Sequence, residues 1–308
     1  MKLPIHILAL LMLVACPKPE DEPAVFEYPY AIGIGNSPEW SINSDTIVYE
    51  KDNDIYIFDL SELSNERVFE NGRDPSISPD RQSITYEWDK QIFIRNLNTE
   101  SITNVGPGIT PSWSENGEWV AYANATAHRK LSNGSTEWGY PSPDSSLYYY
   151  SIDTQEIHRV IVENFPQLSG TRQYSMSQPE WGRGDSLLFL GTEEGIWMVN
   201  REGGNAARYD SLSYYLPKHG QSAFDEFHEF GQASWSQPLE ALGYTKYQST
   251  THGSEYYIRL WSDDRFSVNA DRFSGHADFS WSPSGKMGVA VEVQSNEIYL
   301  DSLNLKVW

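Results

Sequence analysis

Cysteine is almost absent from this chain: its 308 residues hold one, Cys16, so no disulfide can staple the fold. Positive charge is scarce as well. With 22 Lys and Arg against 43 Asp and Glu, the formal net charge is −21, which argues against nucleic acid as a partner and against docking on anionic lipid through a basic patch. No apolar run reaches the roughly 20 residues that a membrane-spanning helix needs. Beyond the N-terminal segment no long stretch keeps a 3.6-residue apolar period, which disfavours a helical fold. Several signatures of chemistry are incomplete. Gly33-Ile34-Gly35 lacks the third glycine of a dinucleotide loop, and Gly220-Gln221-Ser222-Ala223-Phe224 lacks the second glycine of a nucleophile elbow. Asp52-Asn53-Asp54 lacks the glycine and distal Glu of a calcium loop and reads as a polar hairpin turn. The histidines show no paired metal-ligand spacing.

What is present begins with a short leader. Basic Lys2 precedes an apolar stretch from Ile5 to Ala15, the layout of a secretory signal peptide. It ends in Leu13-Val14-Ala15-Cys16, which resembles a bacterial lipobox and implies cleavage after residue 15 and lipidation of Cys16. Residues 16–27 are then a Pro-rich acidic tether, too poor in apolar groups to pack. Their acidity resembles the surface-export signals of Bacteroidota-type lipoproteins and equally suits a solvated spacer.

Residues 28–308 carry an internal repeat. SPEWSINSDTIVYE from Ser37 recurs as DPSISPDRQSITYE from Asp74 and TPSWSENGEWVAYA from Thr110, then as QPEWGRGDSLLFLG from Gln178, QASWSQPLEALGYT from Gln232 and DFSWSPSGKMGVAV from Asp278. Each copy is followed by an alternating apolar segment, such as DIYIFDL at Asp54 or EIYLDSL at Glu297. Alternation bounded by Gly, Pro, Asn and Asp predicts short antiparallel strands joined by tight turns. The wealth of aromatics, including 11 Trp and 19 Tyr, agrees with that. Trp40, Ile77, Trp113, Trp181, Trp235 and Trp281 share one position, as expected if each unit hides an apolar face against its neighbour.

These phrases resemble the TolB-like, WD40-like β-propeller repeat, with its W-S-P-D-G turn and following strand. The resemblance implies an all-β chain: a six-bladed β-propeller of four-stranded antiparallel blades over 28–308. Copies five and six depart at the turn, with Gln237-Pro238 and Ser284 in place of Asp. Either Ala24 to Tyr30 or Asn304 to Trp308 would supply a strand that closes the ring.

Extra residues mark candidate binding loops. The repeated aromatics lie 37 and 36 residues apart from Trp40 to Ile77 to Trp113, but then 68 and 54 apart to Trp181 and Trp235. Strand counting sends the insertions Ala123 to Asp144, Glu163 to Ser177 and Ser213 to Gly231 to one face. Their Trp138, Tyr140, Arg172, Tyr214, Tyr215, His219, Phe227 and His228 suit recognition of a protein or glycan, and equally suit packing over the disc. A second candidate is the polar position three before each aromatic: Ser37, Asp74, Thr110, Gln178, Gln232 and Asp278. These either ring the channel as ligands or simply start the inner strands.

The reading favoured is a non-catalytic scaffold in the bacterial envelope. Held at the outer membrane by its N-terminal lipid alone, it would bind a protein or glycan through the long-loop face and need no cofactor. The alternative is a metal-assisted polysaccharide lyase or hydrolase with its site at the channel. Some TolB-like propeller lyases use channel-facing His and Gln as ligands, and His276 with Gln178 and Gln232 is the nearest match.

Overall fold

The computed structural model describes residues 30–42, 45–123, 147–163, 178–182, 184–192, 195–211, 227–250, 253–262, 266–267, 276–302 and 306–307. Cys16 and the tether therefore lie outside the described residues.

The second copy shows how the repeat folds. Its strands Arg73–Ile77, Ser83–Trp88, Gln91–Asn96 and Ile102–Pro107 form one antiparallel sheet in chain order. The first turn is set by side chains: Ser78 Oγ donates to Asp80 Oδ1 at 2.6 Å, and Gln82 N–H donates to the same oxygen at 3.0 Å. Arg81 sits at φ 60, in the left-handed region that such turns use. The next turn places Asp89 at φ 49 and Lys90 at φ 61, the paired positive angles that match strand twist in a two-residue hairpin. Asp52 and Asn53, at φ 55 and 64, make the same turn in the first copy.

The first, second, third, fourth and sixth copies each give a four-stranded sheet. The fifth gives three strands, Phe227–Ser236, Ala241–Thr250 and Gly253–Ser262. Residues 263–265 and 268–275, which follow the third of these strands, lie outside the described residues. Its strands are also long, with ten residues where inner strands elsewhere have three to six.

Six apolar clusters join neighbouring copies. Val48 and Ile55 of the first pack with Ile77 and Ile84 of the second, and Ile92 of the second with Trp113 and Val120 of the third. The series continues through Tyr149 with Trp181, Ile196 with Leu242, and Ala241 with Trp281. The sixth cluster returns to the start, packing Val289 and Leu300 against Trp40 and Ile47. Every repeated aromatic therefore leans on the copy before it. This is why a lone unit cannot be stable and a closed array can. The chain is an all-β propeller of antiparallel sheets.

Closure uses the N-terminal end. Tyr30–Ile34 is the outer strand of the last sheet, pairing antiparallel with Glu297–Ser302. Of the two candidate closing segments, the first ends where this strand begins. The second contributes Lys306–Val307, which pairs instead with Phe266–Ser267.

Candidate functional site

Four inner strands are interrupted at the polar position singled out in the sequence. Ser37, Asp74, Thr110 and Asp278 have φ of 48, 44, 50 and 50, and the strand register slips beside each of them. Such β-bulges turn a side chain out of the pleat. Three of the four meet: Ser37 Oγ donates to Asp74 Oδ1 at 2.9 Å, and Ser37 N–H donates to the Asp278 carboxyl. Burial pushes Asp74 up. Burial and then the charge of Asp74 push Asp278 up to about 6. Glu50, beside Asp74, is raised to about 7 by burial and by that same neighbour.

Gln178 and Thr110 do something else. Gln178 Nε2 donates to the Pro111 carbonyl at 2.8 Å and to Glu39 Oε2 at 3.1 Å, which carries it to a copy three places away in the chain. The Thr110 hydroxyl is buried without a partner. Gln232 lies on the strand Phe227–Ser236, and its side chain is outside the described residues.

Sequence reasoning missed the position just before the aromatic: Glu39, Ser76, Ser112, Glu180, Ser234 and Ser280. These residues stitch neighbouring copies together. Ser280 Oγ accepts from Trp40 N–H at 2.9 Å, Ser76 Oγ from Trp113 N–H at 2.9 Å, and Ser234 Oγ from Trp281 N–H at 3.2 Å. Glu180 Oε1 accepts from Trp235 N–H at 2.9 Å, and the Glu39 carboxyl accepts from Ile77 N–H. At the junction of the third and fourth copies, Trp181 Nε1–H donates to the Ser112 carbonyl at 3.0 Å. The circuit of junctions is complete. A signal was available, since four copies have Ser there while SPEW and QPEW have Glu.

A cavity of about 280 Å³ opens where the inner strands end, among the W-S-P turns. Its wall includes all five repeated tryptophans together with Glu39, Glu115 and Glu180. Burial holds Glu39 up at about 8, despite the opposing hydrogen bonds from Ser76, Gln178 and Ile77. Burial and then the charge of Glu39 hold Glu180 well above the usual carboxylate range, against the Trp235 N–H. Both carboxyls lie deep among the inner strands and face the channel.

The opposite end carries the long connections. Ala123 pairs with Ile109 at the start of its inner strand and with Leu147, so residues 124–146 leave from that end. Ser211 pairs with Gly195, so the chain reaches that end again before residue 212, whereas Val162 and Glu163 run beside Gly204 and Asn205, next to the fourth copy's outer turn. Trp138, Tyr140, Arg172, Tyr214, Tyr215 and His219 lie outside the described residues. Phe227 and His228 are on the fifth copy's inner strand, opposite Ser249 and Gln248, and their side chains are not described. That strand starts eight residues before its Trp235, whereas Asn36–Trp40 starts four before Trp40. Four extra residues at about 3.3 Å each carry the sheet about 13 Å farther out.

Among the described residues no group of three or more His, Cys, Asp and Glu could hold a metal ion. His276 begins the sixth copy's inner strand, paired with Glu292, and its side chain is not described.

No family model and no curated protein matches the chain. Similar solved structures include a protein assigned as TolB from Agrobacterium tumefaciens, 15% identical, with a TM-score of 0.56 over 88% of this chain and 90% of that one. They also include the hydrazine synthase of Kuenenia stuttgartiensis, 8% identical, TM-score 0.56, over 89% and 78%. A third is the Cps50 (Swd1) β-propeller domain of Myceliophteria thermophila, 11% identical, TM-score 0.50, over 88% and 97%. At these identities the likeness shows the β-propeller fold.

Proposed function

We propose that the chain is a six-bladed, lipid-anchored envelope propeller that captures a protein or glycan through the end bearing its long connections. The observation that carries this reading is the register: Ala123 and Ser211, which precede two enlarged connections, and the fifth copy's extended strands reach the same end of the ring. Rigid scaffolds with enlarged loops on one side present recognition surfaces there. Anchoring would come from a diacylglycerol on Cys16. An extended chain from Cys16 to Tyr30 spans up to about 45 Å, enough to hold the disc clear of a membrane surface. The working location is the outer membrane, facing either side. The residues offered to the partner are Trp138, Tyr140, Arg172, Tyr214, Tyr215, His219, Phe227 and His228.

The test is site-specific photocrosslinking in cells, with the crosslinker at position 227 or, at the other end, at Leu63. Partner adducts from 227 that vanish when residues 213–226 are replaced by a short Gly-Ser link support the reading, provided the variant keeps its thermal midpoint. Adducts formed equally from position 63 overturn it. For the anchor, Cys16→Ser should move the protein to the soluble fraction.

A further inference from the structure

The end at which the N-terminal tether joins the disc is fixed by one strand. Tyr30–Ile34 runs antiparallel to Glu297–Ser302, with Ile34 opposite Glu297 and Tyr30 opposite Leu300. Ile34 lies at the long-connection end, where Gly35 N–H donates to the Asn296 carbonyl at 2.9 Å and His276 starts an inner strand opposite Glu292. Tyr30 lies toward the other end, because Ser302 pairs with Met287, just past the turn that follows Trp281. The chain before Tyr30 therefore joins the disc from its W-S-P end. That junction is firm. Tyr30 and Ile32 belong to the cluster that joins the sixth copy to the first, and Asn65 Nδ2 donates to the Ile32 carbonyl at 2.9 Å.

Given the lipid on Cys16 proposed above, on which this rests, we infer that the propeller hangs from the bilayer by its W-S-P end, with the long-connection face turned away from the lipid. That face takes a macromolecule standing in the aqueous space, not one lying flush with the membrane. The six residues of Glu297–Ser302 span about 20 Å, and the fifth copy's sheet rises about 13 Å more. The partner surface then stands on the order of 30 Å beyond the tether's exit.

Length argues against the inverted disc. To lay the long-connection face on the bilayer, residues 16–29 must run back along that whole height, which uses about three quarters of their extended reach. Such stretching costs conformational entropy, whereas the upright disc leaves the same chain free to vary its path. The net charge of −21 further opposes laying either face flat on an anionic lipid surface.

The experiment uses the full chain, lipidated in cells, purified and inserted into phosphatidylcholine vesicles that carry an energy acceptor on a headgroup. Lipid consumes the thiol of Cys16, the one native cysteine, so Lys286→Cys and Gln294→Cys each give a single site for a donor dye. Both residues are exposed, at the W-S-P and long-connection ends of the sixth copy. The dye at 286 should sit up to about 20 Å nearer the acceptor plane and transfer more strongly. Glu62→Cys and Trp88→Cys, at the two ends of the first copy, should repeat the order and cover the case in which a sixth-copy variant fails to fold. Equal transfer from the two ends, or stronger transfer from 294 and 88, in a chain that floats with vesicles only when lipidated overturns the orientation and leaves the anchor standing. A Cys16→Ser chain that floats with the vesicles as well as the lipidated one overturns the anchor, and the orientation with it.

Discussion

Gln178 is bonded to Glu39 across 139 residues of sequence, its Nε2 donating to Oε2 at 3.1 Å. The same carboxyl accepts from Ser76 Oγ at 2.5 Å and from Ile77 N–H, so one side chain ties the first copy to the second and the fourth. Three donors would ordinarily lower a carboxyl's pKa. Here burial outweighs them and holds it up at about 8.

That balance sets the direction in which stability depends on pH. A carboxyl whose folded pKa is raised gives its full contribution below its unfolded value, near 4.5, and loses it as pH climbs through the folded value. Asp278 at about 6, Glu50 at about 7 and Glu180 act in the same sense. The thermal midpoint should therefore fall from about pH 5 to about pH 9. Asp59, lowered chiefly by its bond from Ser61, contributes above its unfolded value and loses that contribution on the acid side. Glu39→Gln should flatten the alkaline slope. Scanning calorimetry across this range checks the sign, and a midpoint that rises from pH 6 to 9 would contradict it.

The junction bonds make a second prediction, at the seam between the last copy and the first. Ser280→Ala leaves the Trp40 N–H unpaired in a place where Ser280 is 4% and Trp40 3% exposed. An orphaned buried donor costs about 1–3 kcal/mol. Ser61→Ala, which removes an exposed hydroxyl bonded to Asp59, should stay within about 0.5 kcal/mol. Urea unfolding of the two variants compares them directly, and equal effects would mean that the junction bonds are not structural.

How far the sequence could be read follows from what repeats. Trp40, Ile77, Trp113, Trp181, Trp235 and Trp281 recur because every junction needs the same large apolar group, and recurrence is visible without coordinates. The channel was legible only in part. The polar residues three before each aromatic read from sequence either as a ring around it or as the starts of the inner strands; in Ser37, Asp74, Thr110 and Asp278 the backbone uses that position for a bulge, and Gln178 bonds Glu39. Glu39 and Glu180 escaped notice because a Glu in a strand-and-turn phrase looks like a solvated surface residue. Only the ring geometry turns it inward. The fifth copy's extended sheet was hidden for another reason: Phe227 to Phe230 were counted within an insertion, whereas they continue the strand.

The last prediction concerns closure. Ile32, 6% exposed, packs into the cluster that joins the sixth copy to the first, with Trp40, Phe58, Ile298 and Leu300. Its carbonyl accepts from Asn65 Nδ2 at 2.9 Å, and Asn65 Oδ1 in turn accepts from the Tyr49 hydroxyl at 2.8 Å. A strand laddered to the last sheet is thus clasped by the first, which converts an open stack into a ring without exposed edges. Ile32→Ala should cost about 2–4 kcal/mol. Ile34→Ala, on the same strand but 53% exposed, should cost about 0.5 kcal/mol or less. Removing residues 1–29 should leave the urea midpoint in place, whereas removing 1–35 should lower it and bring on aggregation through the bared edge of Glu297–Ser302. If the longer truncation unfolds at the same urea concentration as the shorter one, Tyr30–Ile34 is a passive outer strand and closure rests on the inner junctions alone.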